Sequence, residues 1–159
     1  MPPDPDPAGA FAPRFEYANE NRQATIGLGG TNVAVLTFLL IFLYGRFSSG
    51  GFDEALFRVT LATVVLSIFF LGISGTYYYL LLEALERRDP DPRRFLEPAD
   101  GSFVIGLALM FLEPTLILVV LGIYDVGALA AGLWVLSLVL IARGRQQLLR
   151  TAPPRVRSS

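Results

Sequence analysis

The chain has 159 residues, the length of one domain, and contains no His and no Cys. That excludes disulfides, thiol redox chemistry, His-dependent acid–base catalysis, His-ligated haem and zinc sites of the usual kind. A hydrophobic content of 53% and a mean hydropathy of +0.52 argue against a water-soluble domain, and a net charge of −1 gives no reason to expect nucleic acid as a partner.

Charge is segregated along the chain. Residues 23–45, 59–82, 101–124 and 126–142 hold a single Asp, Glu or Arg between them, Glu113. A soluble amphipathic helix would show charge on one face at every turn, and these segments are apolar all round. At 1.5 Å of rise per residue, three of them are long enough to cross a bilayer. The expected fold is an all-α integral membrane protein of four transmembrane helices, with N-terminus and C-terminus both inside, forming a bundle with a tight hairpin between helices 3 and 4.

In chain order, residues 1–24 read as a cytoplasmic Pro-rich segment, largely disordered, of which residues 15–24 can extend the first helix. No signal peptide is expected, because a positive n-region and a small-residue cleavage pattern are missing. The transmembrane domain covers residues 25–146. Its first span runs over about Thr25–Tyr44, and Ser48-Ser49-Gly50-Gly51 then breaks the chain. Asp53-Glu54 suits the N-terminus of the next helix. The second span covers Val59–Leu82, with its helix continuing to Arg88 until Asp89-Pro90-Asp91-Pro92 stops it. A charged cytoplasmic loop, residues 86–100, follows. Asp100-Gly101-Ser102 reads as an N-cap for the third span, Phe103–Tyr124. The link Tyr124-Asp125-Val126-Gly127 makes spans three and four a hairpin, with Asp125 as N-cap of the fourth. That span, Val126–Ala142, is short at 17 residues, and Arg143 and Arg145 extend it by snorkelling. Residues 147–159 read as a disordered cytoplasmic tail.

Orientation follows from the arginines, the only basic residues present. Eleven of the thirteen fall on the side shared by the N-terminus, the 86–100 loop and the C-terminus, and only Arg46 and Arg58 on the other. By the positive-inside rule the first side is cytoplasmic. An odd number of spans would destroy this asymmetry. The all-Arg usage fits a GC-rich bacterial or archaeal genome, so the plasma membrane of such a cell is the expected location.

Glu113 is the residue that points to chemistry. Twelve uncharged residues precede it in its segment and eleven follow, which puts it near the bilayer midplane. An ionised carboxylate at mid-helix costs about 2.5–3.5 kcal/mol on insertion scales, so such groups face a bundle interior, a partner or a water path. Pro114 cannot donate to the carbonyl of Met110, which leaves an acceptor beside the carboxyl and favours a kink. A proton or cation site has these ingredients. The competing reading is that protonated Glu113 donates one interhelical hydrogen bond and pins the packing.

On span two, Thr60, Thr63, Ser67, Ser74 and Tyr78 fall within about 60° of one another around the helix. They form either a packing seam or one wall of a path shared with Glu113. Gly27, Gly30, Ala34 and Thr37 on span one, and Ala128 and Gly132 on span four, are small-residue packing faces. Asn32, a lone amide in span one, reads as a helix–helix hydrogen bond. Tyr44, Tyr124 and Tyr77–Tyr79 suit an interfacial aromatic belt. Arg87, Arg88, Arg93 and Arg94, flanking the Asp-Pro steps, are candidates for lipid headgroup contact or simple topology determinants.

No catalytic residue, cofactor or metal is expected. Asp53, Glu54 and Asp125, the acids on the outer side, show no motif of a paired-carboxylate enzyme. The leading functional expectation is a small membrane protein that handles a proton or cation at Glu113-Pro114. The alternative is a non-catalytic accessory or assembly subunit of a larger complex. The partners expected are the lipid bilayer and either further copies of the chain or larger membrane subunits.

Overall fold

A computed structural model describes residues 7–47 and 53–151, all of the regular structure being helical. We number four helices. α1 covers Pro7–Phe38 and continues through one π-helical turn, Leu39–Leu43, into Tyr44–Phe47. α2 is Glu54–Glu86, α3 is Arg93–Val120 and α4 is Tyr124–Thr151. Three of them contain stretches long and apolar enough to cross a membrane: Arg14–Leu43, Glu54–Glu86 and Arg94–Val120. The apolar stretch of α4, Tyr124–Leu140, is shorter.

The helices extend beyond the apolar segments. α1 begins at Pro7, inside the segment read as disordered, because Pro fits the first helical position and Ala8, Ala10 and Ala12 favour continuation. α4 likewise runs to Thr151, into the tail. Residues 1–6, the Ser48–Gly51 break and residues 152–159 lie outside the described residues.

Helix ends follow local chemistry. Asp53 caps α2 by accepting the Leu56 amide at 2.9 Å, as its position in the sequence suggests. α2 ends in a Schellman motif: the Arg88 amide donates to Leu85 at 3.1 Å and the Asp89 amide to Ala84 at 2.9 Å. Arg88 holds the left-handed position, φ 53°, where glycine is usual. The Asp89 carboxylate then accepts from the Asp91 amide and from Arg94, which orders the turn into α3. α3 ends in the same motif, with Gly122 at φ 78°.

Two expected caps are corrected. Asp100 does not start a helix: α3 begins seven residues earlier, and the Asp100 carboxyl serves hydroxyls from other helices instead. Asp125 is not an N-cap either, because α4 starts at Tyr124 and places Asp125 in its first turn. The hairpin link between α3 and α4 is Leu121–Ile123, shorter and earlier than the sequence suggests.

α2 is the central helix, packed on α1 along one side and α3 along the other, with α4 laid against α3. Its buried seam runs Phe57, Thr60, Val64, Ser67, Leu71, Ser74, Tyr78, Leu81 and Leu85, an unbroken alternation of three and four residues. Large side chains alternate with small hydroxylated ones along most of it. On α1 the buried positions Ala18, Thr25, Asn32 and Leu39 recur every seven residues, and so do Ala99, Gly106, Glu113 and Val120 on α3. A seven-residue repeat is the signature of left-handed, coiled-coil-like packing. Two apolar clusters result. Ala18, Tyr78, Leu81, Leu82, Leu85 and Ala99 fill the end near the α2–α3 turn, and Leu39, Leu43, Phe57, Val64 and Val120 fill the opposite end.

Candidate functional site

Between the two apolar clusters lies a polar layer to which each of the first three helices contributes one side chain. Asn32 comes from α1, Ser67 from α2 and Glu113 from α3, each at a position of the seven-residue repeat. Asn32 and Ser67 are fully buried and Glu113 is 3% exposed. The Asn32 Nδ2 donates to Ser67 Oγ at 2.5 Å and to Glu113 Oε1 at 3.1 Å. Ser67 Oγ in turn donates to the backbone carbonyl of Gly106 at 3.1 Å. The amide oxygen Oδ1 of Asn32 is buried and has no donor among the described residues.

Gly106 makes this layer possible. A Cβ at that position would stand 2.9 Å from Leu71 Cγ and 3.2 Å from the Leu71 backbone nitrogen. Only a hydrogen at Cα lets α2 and α3 approach closely enough for Ser67 to reach across.

The sequence singled out all three members of the layer, but not their meeting. Pro114 lies next to Glu113 on the exposed side of α3, away from the layer. All of Thr60, Thr63, Ser67, Ser74 and Tyr78 are buried. Thr60 and Thr63 bond back to Leu56 and Val59 carbonyls of their own helix, whereas Ser74 donates to Ala99 of α3 at 3.0 Å.

Tyr78 belongs to a second polar cluster nearer the α2–α3 turn, again drawn from three helices. It donates to Asp100 Oδ1 at 2.6 Å, and Tyr17 of α1 donates to the same oxygen at 3.1 Å. The rings of Tyr17 and Phe103 both meet Tyr78 edge-on with centroids 6.4 Å away. Asp100 and Tyr17 were missed as a pair, because their 83-residue separation gives no local signal. Of the neighbouring tyrosines, Tyr79 is exposed, with the Arg22 guanidinium 5.5 Å from its ring centre.

In the arginine-rich turn, Arg87 pairs with Glu83 at 2.5 Å and Arg94 with Asp89 at 2.7 Å. Arg94 also lies over the Phe95 ring. The Arg93 side chain lies outside the described residues. On α4, Trp134 anchors the helix to α3 by donating its indole N–H to the Ala108 carbonyl at 2.8 Å.

Chemically, the central layer offers a carboxyl whose described partners are neutral. None of the ion pairs among the described residues involves Glu113. Comparison of the chain with protein-family models, with curated proteins and with solved structures finds no match.

Proposed function

We propose that the chain is a polytopic integral membrane protein that takes up a proton or cation at Glu113. The single observation behind this reading is the Asn32–Ser67–Glu113 layer, a buried carboxyl held between helices by neutral groups, without a counter-ion in the described structure. A bound proton or cation balances its charge, and the spare oxygen of Asn32 supplies a further acceptor. In proteoliposomes the wild-type protein carries a pH-dependent or cation-dependent flux. Glu113→Gln keeps a hydrogen-bonding side chain of the same size and abolishes that flux. Flux unchanged in this variant sinks the mechanism.

The same proposal has four helices crossing the plasma membrane of a bacterium or archaeon, as a bundle with both termini in the cytoplasm. Two features support it. The apolar stretches are exposed on their outer faces, as lipid-facing surfaces are, and the N-terminal end of α1 lies beside the arginine-rich α2–α3 turn. Cysteines introduced at Ser49 and Ser158 are labelled from opposite sides of intact cells; labelling of both from outside refutes the orientation.

A second reading, an accessory subunit of a larger membrane complex, draws on α4. Ala128 and Gly132 are exposed, and a Cβ added at Gly132 would point into open space. Small residues one turn apart are suited to a close-packed partner helix. Stoichiometric co-purification with larger subunits in mild detergent supports it, and recovery of self-assemblies alone counts against it.

A further inference from the structure

A third feature lies at the arginine-rich end of the molecule, beside the Tyr17–Tyr78–Asp100 cluster. Leu81 and Leu85 of α2, Leu96 of α3 and the ring of Tyr17 of α1 wall a mostly apolar cavity of about 360 Å³. That is within the size range of small-molecule pockets. Two charges of opposite sign also line it, Arg14 of α1 and Glu97 of α3. Both are exposed, and neither is in an ion pair with any described residue. Arg87 and Arg94, by contrast, are each matched by an acid.

From this combination we infer that the cavity is a binding site for a zwitterionic phospholipid of the phosphatidylethanolamine class. The inference rests on the membrane reading above. The phosphate meets the Arg14 guanidinium, which can hold two of its oxygens side by side. The protonated amine, one ethylene unit further on, meets the Glu97 carboxylate. An acyl chain lies along Leu81, Leu85 and Leu96.

The charge pattern selects this headgroup over others. Phosphatidylglycerol, an anionic phospholipid, satisfies Arg14 but brings no amine to Glu97. A purely cationic amphiphile leaves Arg14 unmatched. The cavity also lies at the end where the helices leave their apolar stretches, since Arg14, Pro92 and Glu97 line it. Tyr17, one of its walls, is fixed by its bond to Asp100, so the cavity is held in shape by the same cluster that joins the three helices.

The test uses the full-length protein in mild detergent, stripped of lipid and titrated with phosphatidylethanolamine or phosphatidylglycerol of matched acyl chains. Bound lipid is counted by native mass spectrometry. The wild type prefers phosphatidylethanolamine by about fivefold, the scale of one matched charge near a membrane surface. Glu97→Gln removes or inverts that preference, and Arg14→Gln weakens both lipids by a similar factor. Both positions are exposed, and circular dichroism with gel filtration checks that the variants fold. Equal binding of the two lipids by the wild type, or an unchanged preference in Glu97→Gln, overturns the proposal. Alkaline carbonate extraction of cell membranes keeps the two failures apart. Release of the protein refutes the membrane reading, whereas retention without lipid preference refutes only the lipid site.

Discussion

Asn32 and Glu113 meet across 81 residues of sequence, the amide nitrogen 3.1 Å from a carboxyl oxygen in a layer closed to solvent. Removing one partner strands the other, and a stranded buried polar group costs about 1–3 kcal/mol. Asn32→Leu therefore lowers stability by that amount in reversible unfolding from mixed micelles. Replacing both sides is different, because an apolar pair leaves nothing unsatisfied. The double variant Asn32→Leu, Glu113→Leu recovers part of the loss, with a coupling energy of about 0.6–1.7 kcal/mol, the range measured for interhelical hydrogen bonds in membrane proteins. Strictly additive losses would show that the two side chains do not work as a pair.

The closest helix approach gives a second expectation. Gly106→Ala pushes a methyl group into Leu71, including its backbone nitrogen, which no side-chain rotation can move away. Overpacking of this kind costs about 1–3 kcal/mol, and Leu71→Ala in the same chain relieves only the side-chain part. Gly132→Ala, where the Cβ enters open space, leaves thermal stability in detergent unchanged. Equal losses at the two glycines would contradict the crossing point.

Two helix ends share one motif and differ in the residue at its left-handed position. Gly122 adopts φ 78° without steric cost, whereas Arg88 adopts φ 53° with a Cβ in place. Gly122→Ala lowers, and Arg88→Gly raises, unfolding free energy by about 1 kcal/mol. Denaturant titration of both variants gives shifts of opposite sign. A loss in Arg88→Gly would mean that the arginine side chain contributes more than its backbone strain costs.

The two hydroxyls on Asp100 are unequal. Tyr78 is fully buried and its bond is the shorter, whereas Tyr17 is 47% exposed. Tyr78→Phe should cost about 1.5–3 kcal/mol, the range for a hydrogen bond to a charged group. Tyr17→Phe should cost well under half of that, since water reaches its oxygen. Melting temperatures of the two variants, measured side by side, decide the order.

Much of the architecture was legible in the residues. The long apolar stretches and the Asp53 cap come from local chemistry and appear where that chemistry puts them, whereas α2 ends at Glu86, two residues before the expected Arg88. Helix ends were less legible at Pro7 and at Arg93. Hydropathy changes where a side chain would leave an apolar medium, but the backbone hydrogen-bond ladder continues until a proline or a left-handed residue interrupts it. Asp100-Gly101-Ser102 has the composition of a helix start. It is not one, because the helix is already under way from Arg93, and the carboxyl bonds two tyrosines from other helices instead.

Glu113, Ser67 and Asn32 each drew attention alone, as polar groups among apolar ones. Their meeting depends on the rotation and height of three helices relative to one another. In an apolar segment no charged face reports rotation, and only the hydroxylated stripe of span two marked a buried side. The register was nevertheless written in the seven-residue spacing of Ala18, Thr25, Asn32 and Leu39, and of Ala99, Gly106, Glu113 and Val120. Small and polar residues are its only visible marks.

The central place of α2 has a consequence for the order of events during synthesis. α2, α3 and α4 each lie against the helix made just before, so each can dock as it emerges, without waiting for the rest of the chain. Asn32 can therefore find Ser67 while α3 is still unmade. The bond from Asn32 to Glu113 skips one helix, and it forms only when α3 arrives at the correct height. That makes the carboxyl sensitive to the register of that step: a chain in which α3 has slipped by a turn leaves an acid without its amide.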